Sequence, residues 1–561
     1  MNVTFTSFGG IVPRLADHQL GYAAATQAHD VKLRNGRLEP WLKNCHFADA
    51  VENAKSFHVY GCCAVTWDSL VTAGNLPPDW KRFYIAGRNG NGLEAVELAC
   101  ECEPTYYTGG VPAPADPPVA SAVEECSREA DARSYVYTYL NKWGEESRPS
   151  PASNIVRVDD GTEVTITGIA DPPEGYGITH AILYRSSTGF RVMDGKTQEF
   201  ATAYLYVDTI ELPAESATYV DAMLSLYLGP ALETQDDRMP PAMTGVLAVR
   251  DQIRLVGWNK NNIYMSENLM PHNWPAMYDL TLDHTIIHMG ELDQRLFVTT
   301  DAYPYIIDIS SCDITKPMPV TSVETALPDI GCQRANGAVM TAHGLFYASP
   351  IGIILLSADG SWDVVTARWF GEEEWRKLKP DTITMAYYEG YLFFSTEMAT
   401  FLLDINGKPY DNAQNAELVT LSDKPVACMT TNTGALLFLQ DDELFVWTGG
   451  DEPREYTWRS RPITGGKASV GRNNSDAQMA ETYSARGPLW SPASLKLGGA
   501  AHVRLSTPHG RDVVNRFIGT EKPVRLSRTG RHLFYWLELT GHDVVEFVNM
   551  GTATTTVNAG Q

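Results

Sequence analysis

A unit of about 45 residues recurs in the second half of the chain, and it restricts the possible folds more than any other feature. Each copy consists of a short apolar strand, a turn and a second apolar strand. This length is typical of β-propeller blades, in which one four-stranded sheet takes about 40 to 50 residues. Helical repeats would instead space their apolar residues at three and four. The sequence therefore predicts an all-β fold containing a β-propeller. The copies begin at Asp251, Asp293, His343, Glu389 and Thr433.

The region before these repeats has a different pattern. From about Tyr135 to Glu233, short β-rich runs such as SYVYTYLN, EVTITGI and TAYLYVD alternate with turn residues, which predicts a β-sandwich. A Pro/Ala-rich stretch from Thr108 to Ala122 indicates a boundary just upstream. Between residues 57 and 96, the runs FHVYGCCAVTW, RFYIAG and LEAVEL are typical of one more blade. We therefore expect the sandwich to be inserted into the propeller.

The rest of the chain completes a five-part organisation. After Trp458 the repeat stops and a second sandwich is expected, while EEEWRKL near Glu372 is the best helix candidate. The opening residues admit two interpretations, an arm laid on the body or on a neighbour, or a first strand of the propeller. The predicted parts are an N-terminal arm (1–45), a first part of the propeller (46–115), the inserted sandwich (118–233), the remainder of the propeller (234–455) and a C-terminal sandwich (456–561).

Charge and composition exclude several classes of function. Lys and Arg total 44 and Asp and Glu total 68, which gives a net charge of −24. Such a chain is not built mainly to attach nonspecifically to bare DNA or to an anionic membrane. No signal sequence and no apolar stretch of about 18 residues is seen, so we expect no export and no membrane-spanning segment. The nine Cys are scattered, which predicts reduced thiols in a protein made in a cytoplasm.

Candidate ligands for a metal are weak. His284 and His288 in HTIIH would share one face of a helix, but flanking TL and II favour a strand, which separates them by about 13 Å. The pairs Cys62–Cys63 and Cys100–Cys102 contain no CxxC knuckle, so buried or partly exposed thiols are favoured over a thiolate site. No metal ligand is assigned.

Candidate catalytic motifs are equally weak. SADGSW (357–362) is similar to the aspartate box of sialidase propellers, but its spacing differs, and such a box is structural. GRNGNG at Gly87 is not GxGxxG and predicts a hairpin turn. The run Glu372, Glu373, Glu374 is typical of a solvated face. Since no GxSxG, P-loop or HExxH occurs, we assign no catalytic or cofactor-binding residues and expect structural work rather than an enzyme.

Several ordered segments carry a resemblance to one family. They are similar to tailed-bacteriophage virion proteins of the short tail, of the nozzle or tail-tube type. The resemblance covers most of the chain and is weakest after Gly471. The segments are GGIVPRLADHQLGYAAATQAHDVKLRNGRLEPW, YVYTYLNKWGEESRPSPAS, ITHAILYRSSTGF, IYMSENLMPHNWPAMY, ASPIGI, WRS and KPVRLS.

This resemblance implies a structural role. It implies a propeller with an inserted sandwich of the fibronectin type III or immunoglobulin type, in a virion tail ring of commonly six copies. The ring would lie below the adaptor and portal, with tail fibres or a needle as further partners, and genomic DNA would pass through without specific binding. It implies no catalytic set, cofactor or metal. A tail-tip receptor- or carbohydrate-binding protein is the alternative, because 13 Trp and 26 Tyr would suit sugar stacking.

Overall fold

The chain is nearly all β, as its repeats predict. In the computed structural model, strands make up just under half of the described residues, and one α-helix occurs among them, α1 (Glu372–Lys377). That helix coincides with the predicted EEEWRKL segment. The described residues are 2–90, 92–122, 131–187, 190–193, 196–199, 203–213, 218–249, 253–309, 318–319, 330–405, 417–464, 468–469, 489–519, 522–526 and 529–552.

The strands are short throughout. Those before residue 300 are β1 Asn2–Phe5, β2 Ala25–His29, β3 Val31–Lys32, β4 Glu39–Pro40, β5 Cys45–Asp49, β6 Ser56–Tyr60, β7 Cys63–Trp67, β8 Thr72–Asn75, β9 Arg82–Ala86, β10 Glu94–Leu98, β11 Pro104–Thr108, β12 Val119–Ser121, β13 Asp131–Arg133, β14 Tyr135–Asn141, β15 Val156–Val158, β16 Val164–Thr167, β17 Ile178–Ser187, β18 Phe190–Met193, β19 Lys196–Glu199, β20 Ala203–Glu211, β21 Thr218–Asp221, β22 Gly245–Val249, β23 Arg254–Asn259, β24 Asn262–Met265, β25 Leu280–Thr281, β26 Ile286–Leu292 and β27 Arg295–Thr300. The others are β28 Tyr305–Asp308, β29 Met318–Pro319, β30 Ala338–Thr341, β31 Gly344–Ser349, β32 Gly352–Leu356, β33 Trp362–Val364, β34 Thr384–Tyr388, β35 Tyr391–Ser395, β36 Thr400–Asp404, β37 Leu418–Leu421, β38 Ala427–Thr430, β39 Leu436–Gln440, β40 Glu443–Val446, β41 Tyr456–Ser460, β42 Ile463–Thr464, β43 Ala468–Ser469, β44 Ser494–Leu497, β45 Ala501–Ser506, β46 Asp512–Ile518, β47 Val524–Arg525, β48 Phe534–Gly541 and β49 Val548–Gly551.

Short 3-10 helices join some of these strands. They are Asp17–Gln19, Pro78–Trp80, Arg88–Gly90, Ser225–Tyr227, Thr234–Asp236, Ala276–Tyr278, Ala335–Gly337 and Pro380–Thr382. None of the helices in the described part of the chain has the length and apolar character needed to cross a membrane.

The chain forms two compact units. The first contains Met1–Phe57, Thr66–Asp68 and Ile287–Gln561, and the second contains His58–Val65 and Ser69–Ile286.

Each of the five repeats supplies the two central strands of a four-stranded antiparallel arrangement. The repeats form the pairs β23–β24, β27–β28, β31–β32, β35–β36 and β39–β40. Three sheets use neighbouring strands only, β22–β25, β26–β29 and β30–β33; β34–β37 is part of a ten-stranded sheet, and β38–β40 is completed by β5 from the N-terminal region. Every residue of β31 and β32 is buried, which explains why these runs are apolar without alternation.

In the second unit, a sixth four-stranded sheet has the order β11-β10-β9-β8. The predicted strands RFYIAG and LEAVEL form its centre as β9 and β10. The run FHVYGCCAVTW was expected in the same blade, but it forms a separate hairpin of β6 and β7. The sheet is completed instead by β8 and β11, whose sequences TAGN and PTYYT carry few apolar residues.

Two three-stranded sheets lie within residues 118–233. Their orders are β12-β16-β21 and β14-β17-β20. Ala120 and Ile166 from one sheet and Tyr137, Leu183 and Val207 from the other belong to the same buried cluster. The predicted alternation in EVTITGI is confirmed, because burial alternates along β16.

The N-terminal strands pair with late segments of the first unit. β1 lies antiparallel to β49, and β2 lies between β37 and β41. The ring of Phe5 contacts Trp458 edge-on at 5.7 Å, and the Trp458 indole N–H donates to the Gly9 carbonyl at 3.0 Å. One apolar core therefore contains both the opening residues and the C-terminal strands.

Candidate functional site

The two histidines of HTIIH do not form a helical pair. His288 lies on β26, and His284 lies in the connection that precedes this strand. Burial lowers the pKa of His288 to about 4, so its imidazole is neutral at physiological pH. The strand interpretation of this motif is confirmed for His288.

The cysteine prediction needs a correction. Cys63 on β7 and Cys102 in the turn between β10 and β11 form a disulfide, with their Cα atoms 5.4 Å apart. Cys62 and Cys100, their neighbours in sequence, are exposed free thiols. The two bonded residues are 39 positions apart and meet only because the β6–β7 hairpin and the β10–β11 turn lie side by side. Spacing along the sequence carries no sign of that proximity.

The remaining sequence candidates occupy turns and an exposed helix face. In SADGSW, Ser361 donates to Asp359 Oδ1 through its backbone N–H (2.9 Å) and hydroxyl (2.6 Å), and these hydrogen bonds lower the pKa of Asp359. The motif is a turn between β32 and β33.

GRNGNG joins the antiparallel strands β9 and β10, as predicted for a hairpin turn. Glu372 and Glu373 on α1 pair with Arg376 and Lys377 one turn later.

In the segment YVYTYLNKWGEESRPSPAS, three tyrosines at every second position form a hydrogen-bonded ladder with three serines at every third position. The Tyr137 N–H donates to Ser150 Oγ at 3.1 Å, and the Ser150 N–H donates to the Tyr137 carbonyl at 2.9 Å. Tyr139 pairs with Ser147 and Tyr135 with Ser153 in the same way. The three serines thus satisfy the free edge of β14, which would otherwise expose unpaired donors and acceptors.

The strand residues on the outer face of the β12-β16-β21 sheet have no ionisable side chain. Two cross-strand rows form it, and we call these six residues the neutral face: Val119, Thr167 and Thr218 in one row, and Ser121, Thr165 and Val220 in the other. Val119 is 53% exposed and Val220 is 49% exposed. β-Branched residues of this kind are usually half-buried in a sheet.

Exposed apolar residues follow β21 in the sequence. The 3-10 helix Ser225–Tyr227 follows β21, and in it Leu226 is 84% exposed and Tyr227 is 69% exposed. Exposed large apolar side chains are a common feature of interaction sites. The neutral face and this helix are therefore the candidate functional site in the second unit.

Buried ionic contacts hold this site in place. Arg185, which is 1% exposed, donates to Asp221 Oδ2 at 2.9 Å and to the Met223 carbonyl at 2.8 Å. The hydroxyl of Tyr135 donates to the same carboxylate oxygen at 2.8 Å. At the start of the 3-10 helix, the Ser225 N–H donates to Asp160 Oδ1 at 3.0 Å. The end of β21 and the apolar 3-10 helix are thus tied to the neighbouring strands.

A cavity of about 250 Å³ in the second unit is lined by several charged groups. Its lining includes Glu146, Arg148, Asp237 and His272. Burial lowers the pKa of His272, so this imidazole is neutral, and burial raises the pKa of Asp237. The serine of the cavity, Ser147, uses its hydroxyl in the ladder described above. Among the lining residues, no nucleophile therefore stands beside a free base.

In the first unit, a polar cavity is lined by Asp30, Asp423 and Arg454. Arg454 Nη1 lies 2.6 Å from Asp423 Oδ2 and 3.7 Å from Asp30 Oδ1. Arg454 is thus placed between two carboxylates.

Sequence reasoning missed the neutral face. A sequence signal for this face was present, because Thr218 and Val220 alternate in the strand TYVD. The strand that pairs with TYVD is VTIT, which is also rich in β-branched residues. Which of the two faces of this sheet stays exposed depends on packing against the β14-β17-β20 sheet, and that packing is not visible in a single strand.

Comparisons with known proteins identify no family for this chain. No protein-family model matches the sequence, and no curated protein matches it. Among solved structures, BamB from Moraxella catarrhalis aligns over 70% of this chain and 99% of its own at 9% identity and a TM-score of 0.25. Apo AztD from Citrobacter koseri aligns over 54% of this chain and 72% of its own at 12% identity and a TM-score of 0.18. Similarities this weak assign neither a family nor a function to the chain.

Proposed function

We propose that the chain is a structural component of a tailed-bacteriophage tail, in which several copies form the nozzle or tail-tube ring below the adaptor. The genome leaves through this ring, and the protein belongs to the virion. The proposal begins with the ordered segments that resemble this family. The observation that carries it is the neutral face together with the exposed side chains of Leu226 and Tyr227, which follow β21 in the sequence.

The charge of the chain explains why this face suits contact between copies. Each copy carries a net charge of −24, so most surfaces of two copies repel one another. A contact through charged surface would bury carboxylates without partners, at a large cost in free energy. The neutral face brings only hydroxyl and aliphatic groups into contact. It can therefore be buried against a second copy without that cost.

The proposal also covers the arrangement of the domains. The four-stranded arrangements are blades of a propeller, residues 118–233 are an inserted sandwich of the fibronectin type III or immunoglobulin type, and residues 456–561 form a C-terminal sandwich. The shared buried cluster of the two three-stranded sheets supports the insertion. Expressed alone, residues 118–233 are expected to give a folded all-β spectrum by circular dichroism. A disordered spectrum would count against the insertion.

The tryptophans support this function over a carbohydrate-binding one. All 13 Trp lie in the described residues, and none of them is exposed. Sugar-binding surfaces present aromatic rings to solvent, whereas nine of these tryptophans are buried and the other four are half-buried.

The direct test is to look for the protein in virions. Particles produced by the genome that encodes the chain would be purified, analysed by mass spectrometry and labelled with an antibody against the protein. The expected result is label at the tail in a fixed number of copies. Absence from purified particles would overturn the proposal.

Variants of the neutral face test its role in assembly. Val220→Asp and Leu226→Asp place a carboxylate in the proposed contact, and both are expected to convert rings to monomers in negative-stain images and mass photometry. Met277→Asp is the matched control, because Met277 is 77% exposed in the same unit but lies on another element. Rings that persist in both neutral-face variants would show that another surface forms the contact.

A further inference from the structure

Three side chains of kinds that can bind metal ions lie close together in the first unit, at the edge of the sheet formed by β38–β40 and β5. They are His46 and Asp49 on β5 and Glu443 on β40, and their ligand atoms all lie within 4.8 Å of one another. In the part of the chain that the structure describes, this is the one group of three or more such side chains with that proximity.

A β-bulge brings the imidazole to the carboxylates. Residues three apart on a regular strand point to opposite faces. Here Asp49 pairs with Glu443 and Ala48 with Leu444, but the next pair joins His46 to Phe445 and leaves Phe47 without a partner. The extra residue turns His46 to the face that carries Asp49, which is a known effect of bulges.

The distances between the possible ligand atoms are compatible with a bound metal ion. His46 Nε2 and Asp49 Oδ1 form a hydrogen bond of 3.2 Å, and a shared metal ion would hold the two atoms at a similar distance. Two ligands bound to one metal ion at about 2.0 to 2.1 Å are about 2.9 to 3.4 Å apart, depending on the angle between them. Glu443 is exposed, and its carboxylate oxygen lies within 4.8 Å of both of these atoms. The His46 ring also meets Phe445 edge-on, with centroids 6.0 Å apart, which restricts its orientation.

We propose that His46, Asp49 and Glu443 bind one divalent transition-metal ion, with Zn²⁺ as the representative and water completing its coordination. An imidazole nitrogen favours zinc, nickel or copper over calcium or magnesium, and two carboxylates balance the charge of the ion. The ion would join β5, near the start of the chain, to the β39–β40 hairpin. It would thereby fasten the strand that completes this sheet.

The test uses the full-length chain after treatment with a chelator. Zn²⁺ titrations by calorimetry would compare the wild type with His46→Ala and Glu443→Gln. Asp441→Asn is the matched control, because it removes a carboxylate from the same hairpin outside the proposed site. We expect the wild type and the control to bind one equivalent of Zn²⁺ that each site variant loses, or binds at least tenfold more weakly.

Two further measurements make the result decisive. Zn²⁺ is expected to raise the melting temperature of the wild type and of Asp441→Asn, but not of His46→Ala. Mg²⁺ and Ca²⁺ are expected to bind this site far more weakly than Zn²⁺. Unchanged Zn²⁺ binding in His46→Ala would overturn the site, and equal affinity for Ca²⁺ would overturn the assigned class of metal.

Discussion

The burial of Trp274 could be predicted from the two prolines that flank it. The prolines at 271 and 275 restrict the backbone on both sides, which predicts a fixed turn with a buried indole. The structure confirms the burial, because Trp274 is 0% exposed, and its indole N–H donates to the Pro271 carbonyl at 2.8 Å.

Removal of this side chain should be costly. Trp274→Ala is expected to lower the free energy of unfolding by about 3 to 5 kcal/mol, because it deletes a large buried aromatic and leaves a cavity. Urea unfolding would measure the loss, with Trp80→Ala as a control at a partly exposed indole. A loss below about 1 kcal/mol for Trp274→Ala would show that the indole contributes little to the core.

The carboxyl group of Glu417 makes the stability of the fold depend on pH. Burial raises the pKa of its carboxyl from 4.5 to about 7, although the Gly10 N–H donates to the carboxylate and favours its ionised form. The unfolded chain releases this proton near pH 4.5, so the folded state binds more protons between about pH 4.5 and 7. The contribution of Glu417 to stability therefore falls as the pH rises through this range.

Glu417→Gln keeps an acceptor for Gly10 without the charge. The variant is expected to be more stable than the wild type at pH 8, by about 1 to 3 kcal/mol, and similar to it near pH 4. Thermal unfolding at the two pH values would measure both differences. The same difference at pH 4 and pH 8 would contradict a titrating Glu417.

At the scale of elements, the serine ladder beside β14 makes a prediction of its own. Ser150→Ala leaves the buried Tyr137 N–H without its acceptor, so we expect a loss of about 1 to 3 kcal/mol. Hydrogen exchange at the Tyr137 amide should become faster. Ser121→Ala is the control, because that serine lies on the exposed neutral face, and a change below about 0.5 kcal/mol is expected there. Equal effects of the two substitutions would contradict the role of the ladder.

Elements built from neighbouring residues were predictable, and those built from distant residues were not. The five strand–turn–strand repeats were predictable because both strands of each hairpin are apolar and adjacent. The strand that completes the sheet of the last repeat is β5, which lies almost 400 residues earlier. Its sequence, CHFAD, has no apolar run. The Cys63–Cys102 disulfide and the cluster of His46 with Glu443 were missed for the same reason, since each depends on a long-range pairing.

At the scale of the whole molecule, the net charge of −24 constrains how the proposed ring could pass DNA. Each phosphate held by Lys or Arg adds attraction through counterion release, so a basic channel would retain DNA. An acidic wall repels the phosphates and keeps the duplex away from the surface. Solubility of the assembly is the alternative role for the excess carboxylates, and it makes no demand on where they lie.

We therefore expect the lumen-facing side chains of the ring to carry a net negative charge. The isolated protein should have no measurable affinity for duplex DNA at about 0.15 M salt. Fluorescence anisotropy with a labelled duplex would measure the affinity, with a basic DNA-binding protein as the positive control, and an image of the ring at side-chain resolution would give the charge. Micromolar binding, or a lumen whose side chains sum to a positive charge, would contradict this account, because DNA would then be held where the proposed function requires it to slide.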